Sequence, residues 1–217
     1  MIQIIPGILA TNEEDFKEQF NKVVGCLALQ DGWLQIDLMD GEFVESKSIG
    51  ADTLKKYSAD FKKEIQLLVK DPNIWLDSLE GYKFNRAIAP AEIGEDLINK
   101  FILKCQHSSI TPGLSLNPQT SIETLSQFMS KIEYVLVMSV NPGFQGQEFI
   151  QGSIDKIKKI REIYPDIKIG VDGGVKTENI KDLTEAGINY AIVGSGLLKG
   201  DIDENLEKFW EAIALKR

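Results

Sequence analysis

Histidine is almost absent from this chain: among 217 residues there is one, His107. A single imidazole cannot build a His-rich metal site or a Ser-His-Asp triad. Cysteine is nearly as scarce. Cys26 and Cys105 form neither a CxxC pair nor a disulfide framework, and read as two reduced thiols of a cytoplasmic protein. No apolar run approaches the ~20 residues of a membrane span. The N-terminal MIQIIPGILATNEEDF has no basic region and turns acidic early, unlike a signal peptide. Basic residues are outnumbered, 24 Lys and Arg against 33 Asp and Glu, for a formal net charge of -9. That balance argues against nucleic acid as a partner, which needs a cationic face. It does not exclude a small anionic ligand in a local pocket. No Pro/Gly/Ser-rich linker divides the chain, and no dinucleotide-binding glycine fingerprint stands near its start.

What is present is ordinary globular composition, 43% apolar and 26% charged. A chain of this size buries roughly 70% of its surface without help from disulfides or metal. Short β-rich runs alternate with longer amphipathic ones. The strand candidates are Ile2–Leu9, Leu34–Met39, Glu64–Val69, Arg86–Ala89, Thr111–Leu116, Tyr134–Val140, Ile167–Val171 and Tyr190–Val193. Runs such as YVLVMSV are nearly continuously apolar, as in strands covered on both faces. Helices are expected from Asn12 to Leu27 and over Ser121–Met129, Gly152–Ile163, Thr177–Ala186 and Asp203–Leu215. Eight strand–helix units of about 27 residues each predict an α/β fold, a single (β/α)8 TIM barrel over residues 1–217.

In such barrels the chemistry sits in the loops at the C-terminal ends of the strands. Three of those loops are glycine-rich and follow the last three strands: Asn141-Pro142-Gly143-Phe144-Gln145-Gly146, Asp172-Gly173-Gly174 and Gly194-Ser195-Gly196. One such loop would only turn a corner. Three on consecutive strands predict a phosphate cradle, because glycine lets backbone N–H groups approach an anion closely. Gln35 and Asp37 share one face of the second candidate strand, and two polar groups there must be satisfied if buried. Asp172 ends the seventh, nearly opposite. Carboxylates on two sides of a ligand suit proton removal from one face of a carbon and delivery to the other. His107 falls at or just after a helix end and reads as a surface residue. Lys70, the only lysine placed near the mouth, reads as an exposed loop position rather than a Schiff-base nucleophile.

The ordered blocks PGIL, IDLMDGEFV, SIG, LVKDP, GLSLNP, VMSVNPGFQGQEFI, IGVDGGV and VGSGL span Pro6 to about Leu197. In that order they resemble the ribulose-phosphate 3-epimerase family. The resemblance implies inversion of one carbon of a ketose phosphate such as ribulose 5-phosphate, with Asp37 and Asp172 as acid and base. It implies phosphate contacts from Gly143, Gly146, Gly173, Gly174, Gly194 and Ser195, and walls from Met39 and Met138. It also implies a divalent metal held by two histidines and the same two aspartates.

Here the chain departs from the pattern. The family's histidine on the second strand is Gln35, and that on the third is Gln66. The serine of the family's first block is Gly7, a methionine after the third-strand histidine is Leu68, and the His-x-Glu block of the fourth strand is not recognisable in AIAPAE. A carboxamide offers only a neutral oxygen, so zinc and iron are disfavoured; a harder ion such as Mg²⁺ or Mn²⁺ could take two carboxylates and two amide oxygens. Alternatively, the amide N–H groups of Gln35 and Gln66 could donate to a bound sugar. Three readings stay open at this point: an epimerase-like isomerase, a phosphosugar-binding protein without turnover, and another phosphosugar isomerase or lyase on the same barrel. A homo-oligomer is compatible with all three.

Overall fold

Strands that are apolar on both faces need a cover on both, and closure into a barrel supplies it. The computed structural model describes residues 2–29, 32–144 and 146–214. Eight parallel strands, β1 (Gln3–Ile8), β2 (Trp33–Met39), β3 (Lys62–Leu68), β4 (Arg86–Pro90), β5 (Thr111–Leu116), β6 (Tyr134–Met138), β7 (Lys168–Asp172) and β8 (Tyr190–Val193), pair in chain order and close β8 onto β1. Around them run α1 (Glu13–Gly25), α2 (Ala51–Leu54), α3 (Pro72–Ser78), α4 (Glu95–His107), α5 (Gly152–Ile163), α6 (Ile180–Glu185), α7 (Ser195–Leu198) and α8 (Ile202–Ala214). None of the described helices is long and apolar enough to cross a membrane.

The first helix shows how a buried stripe and local end chemistry fix such an element. In α1, Phe16, Phe20 and Val23 recur at helical spacing and face the strands, while the Asn12 side chain caps the Asp15 N–H at 2.9 Å and three acids fill the first turn. His107 closes α4 and is exposed.

The expected helix over Ser121–Met129 is not formed. A short 3₁₀ helix spans Ile122–Leu125, and i→i+3 bonds continue the tight turn through Phe128 and Lys131. Its apolar residues Ile122, Leu125 and Phe128 recur every three positions, which suits a three-residue turn better than 3.6. The expected Thr177–Ala186 helix starts late, at Ile180, because the Asn179 side chain accepts from the Lys176 N–H and donates to the Gly174 carbonyl, both at 2.9 Å. Leu215, the expected end of the last helix, lies outside the described residues. The helix whose end the sequence places near His107 is α4, and α2, α3 and α7 are further helices beyond the five bounded in the sequence.

Two separate cores result. The larger lies between strands and helices. The smaller fills the barrel with Ile5, Ile88, Tyr134, Leu136, Met138 and Ile192, edged by Trp33 and Tyr190. At the floor of the barrel the fully buried Glu64 accepts from Arg86 Nε at 2.7 Å. The guanidinium carbon lies 3.7 Å from the Tyr134 ring centre, 4.2 Å from Trp33 and 4.8 Å from Tyr190. Stacking on three rings offsets the desolvation of a buried cation. Tyr134 fits there because its neighbours carry no Cβ: one on Gly113 would come within 2.8 Å of the ring, and one on Gly170 would fall on the hydroxyl.

Candidate active site

The strand register brings polar side chains together above that floor. Gln35 is level with Glu64, Asp37 with Gln66, and Asp172 with Met138. Gln35 Nε2 donates to Asp37 Oδ1 at 2.8 Å and to Asp172 Oδ2 at 3.0 Å, and also lies 3.0 Å from the Gln66 amide. With the nitrogen of Gln66 turned inward, it too donates to Asp37 Oδ1 and Asp172 Oδ2, each at 3.0 Å. The two glutamines therefore cross-link the two carboxylates. Gln35 Oε1, which faces away, is buried without a partner.

Both carboxyl groups hold protons more tightly than usual. Burial raises the pKa of Asp37 well above the ordinary value, and the charge of Asp172 adds to it; the Gln35 hydrogen bond opposes both. Burial pushes Asp172 up to about 6, against the Gln35 amide and the Gly173 N–H. Two close carboxylates in a dry site share a proton. The geometry thus disfavours ionisation of both carboxyl groups at once. Beneath them burial raises Glu64 to about 7, despite Arg86.

A cleft of about 140 Å³ opens above the pair. Asp37, Asp172, Gly143, Gly146, Gly173, Gly174, Gly194 and Ser195 all line it, together with Gly7 and Leu68. Gln35 and Gln66 do not line it: both are completely buried and lie beneath it, bonded to the carboxylates. Ser139 anchors one wall, its Oγ 2.5 Å from the Gly173 carbonyl and 3.0 Å from that of Asp172. Gly174 has φ +60°, and a Cβ there would sit 2.9 Å from the Phe149 nitrogen, so the β7 turn packs directly on the loop after β6. At Gly7 a Cβ would meet Ile192 Cγ2 at 2.8 Å, so Ile192 fills the space a side chain would need. Lys70 stands aside, its ammonium paired with Glu42 at 3.0 Å on the surface.

Sequence reasoning overlooked three features. Lys176 lines the cleft. Glu64 and Arg86 form the buried pair; two-residue alternation with Gln66 could have turned Glu64 inward, but its partner follows only from the β3–β4 register. The match of Ile192 to Gly7 is a contact across the β1–β8 seam that closes the barrel.

Comparison with known proteins gives a consistent result. Residues 3–198 match the ribulose-phosphate 3 epimerase family. The cytoplasmic isoform of ribulose-phosphate 3-epimerase from Oryza sativa subsp. japonica is 30% identical over 206 residues, covering 90% of this chain and 86% of the relative. The ribulose-phosphate 3-epimerase of Serratia marcescens is 30% identical over 201 residues, covering 89% and 94%. Among solved structures, a mutant tryptophan synthase α-subunit from Pyrococcus furiosus superposes with a TM-score of 0.72 at 16% identity, covering 96% of this chain and 97% of that one. The 3-hexulose-6-phosphate synthase of Salmonella typhimurium gives 0.68 at 13%, covering 98% of each. At those identities the superpositions speak to the fold alone.

Proposed function

Because this chain belongs to the ribulose-phosphate 3-epimerase family, we propose that it takes a ketose phosphate such as ribulose 5-phosphate into the mouth of the barrel and inverts one carbon by proton transfer between Asp37 and Asp172. The observation that carries this reading is the Gln35 amide, which holds both carboxylates at 2.8 and 3.0 Å beside the cleft. Asp172, the less buried of the two, is assigned as the base in the resting protein. It takes the proton from the carbon next to the carbonyl, and the bonding pair moves into the enediolate. Asp37, protonated, returns a proton to the opposite face. The pair ends with its protonation exchanged and resets through solvent. Separate environments that push two like groups apart in pKa suit one fold to acid and base work together. The phosphoryl group lies in the cradle of Gly143, Gly146, Gly173, Gly174, Gly194 and Ser195, where backbone N–H groups can meet it without an intervening Cβ.

Gln35 and Gln66 take the places where the family pattern has imidazoles, and soft-metal chemistry does not fit them. No group of three or more His, Cys, Asp or Glu that could hold a metal occurs among the described residues. A hard divalent cation fits better. The orphaned Gln35 Oε1 would gain a partner if the amide turned inward, and the inner atoms of Gln35, Gln66, Asp37 and Asp172 are already spaced like neighbouring ligands of a small ion. Such an ion would supply positive charge to the enediolate oxygens. Without it the site forgoes several kcal/mol; a loss of about 4 kcal/mol slows the step roughly a thousandfold.

A second reading, phosphosugar binding without turnover, draws on the complete burial of both glutamines, whose N–H groups already serve the carboxylates. One experiment separates the two. In heavy water, deuterium should enter the substrate carbon slowly but above the protein-free rate, and Asp37→Asn and Asp172→Asn should each erase the signal. Binding without any exchange would sustain the second reading instead.

A further inference from the structure

The cleft has one cationic residue among all those that line it: Lys176, in the turn between β7 and α6. Its surroundings set it apart from the other lysines near the mouth. Lys156 is fully engaged, donating to the carbonyls of Asn117, Pro118 and Thr120 at 2.7 Å each. Lys70 is held by Glu42. The Lys176 residue is exposed, and its ammonium forms no ion pair or hydrogen bond with the described residues. Its backbone, in contrast, is pinned: the Lys176 N–H donates to Asn179 Oδ1, and Asn179 Nδ2 donates to the carbonyl of Gly174. Gly174 is in turn pressed on Phe149. A fixed base thus presents a free cation at the glycine end of the cleft.

That end has a charge to meet. A phosphate monoester carries nearly two negative charges at neutral pH. Backbone N–H groups contribute partial charges only. The chain as a whole has a formal charge of -9, and Asp37 and Asp172 lie at the floor of the same cleft. A dianion entering there is repelled from one side and needs a full positive charge on the other. We propose that Lys176 is the charge partner of the phosphoryl group and sets the cleft's preference for dianionic over neutral sugars, a role that rests on the phosphosugar reading above. It also orients the ligand, phosphate toward Lys176 and carbonyl toward the aspartates.

The test is calorimetric titration of native, Lys176→Gln and Lys176→Arg proteins with ribulose 5-phosphate and with inorganic phosphate, from low salt to about 0.3 M, where screening of exposed charges is strong. Lys176→Gln should raise Kd for both probes about tenfold at low salt, and the gap should narrow as salt rises. Lys176→Arg should stay within about threefold of native. Thermal melts confirm that the variants fold, as expected for an exposed side chain. If native protein binds and Lys176→Gln binds equally well with the same salt dependence, the assignment of Lys176 is overturned and the phosphosugar reading stands. If native protein binds neither probe, both fall together.

Discussion

Replacing Asp172 by asparagine should abolish proton transfer and, at neutral pH, make the protein more stable. The folded pKa of Asp172 is about 6, against 3.8 for the free group. A rise of that size corresponds to roughly 3 kcal/mol. The sign follows from the raised value. The group's stabilising contribution is fully present below pH 3.8 and is lost as pH rises through about 6. Above that, the native fold bears an ionised carboxylate in a dry site, whereas an amide of the same shape bears none. Relaxation of the site and loss of the Gln35 contact reduce the gain, leaving about 1–3 kcal/mol, or several degrees in Tm for a chain of this length. The assay is a pair of thermal melts, native against variant, at pH 7.5 and at pH 3.5 or lower, with chelator present so that no cation offsets the charge. The variant should melt higher at pH 7.5, and the difference should disappear in acid. A variant less stable than native at pH 7.5, or a gain that persists unchanged in acid, would refute the assignment of Asp172 as a carboxylate ionised at the expense of the fold.

The rate of deuterium exchange should rise with pH to half its plateau near 6, the value for Asp172, and Gln35→Met should move that midpoint upward because the amide favours the ionised form; an unmoved midpoint would count against the bridging role. Protein purified without chelator should carry no stoichiometric zinc or iron by elemental analysis, and joint replacement of Gln35 and Gln66 by histidine should introduce zinc binding. Gly174→Val should eliminate thermal stabilisation by millimolar sugar phosphate while leaving a folded barrel by circular dichroism, since its Cβ would strike the loop after β6. Arg86→Met should destabilise by about 3–5 kcal/mol, measured by urea unfolding, because it leaves Glu64 buried without its cation.

Much of the fold is legible in the sequence. Strands buried on both faces announced themselves as apolar runs, and the βα rhythm gave the barrel, because those signals are local. The glycine loops and Asp172 are legible in the same way, as residues at strand ends, and Asp37 as a polar residue alternating with apolar ones inside β2. What escaped was set by register or by contact between distant strands. Nothing in RAIAP says that Arg86 turns inward to three aromatic rings, one on β2, one on β6 and one on β8. The 3₁₀ connection after β5 was missed because its apolar residues also satisfy a helical pattern over so short a span. Gln35 and Gln66 were identified as central, but their place beneath the cleft, bonded to the carboxylates, required side-chain geometry.

In and beneath its cleft this barrel holds three carboxyl groups, Asp37, Glu64 and Asp172, and one guanidinium, Arg86. Such a set of groups acts as a small buffer at the base of the cleft. A dianion arriving above it raises the proton affinity of every acid below, so association draws protons from the medium. Apparent affinity should then fall as pH rises through the range in which these acids titrate, even though the ligand's own charge grows. The measured heat of binding will include the ionisation heat of whatever buffer supplies the proton. Titrations in two buffers of different ionisation enthalpy would therefore count the protons taken up, and so read the charge state of the barrel directly.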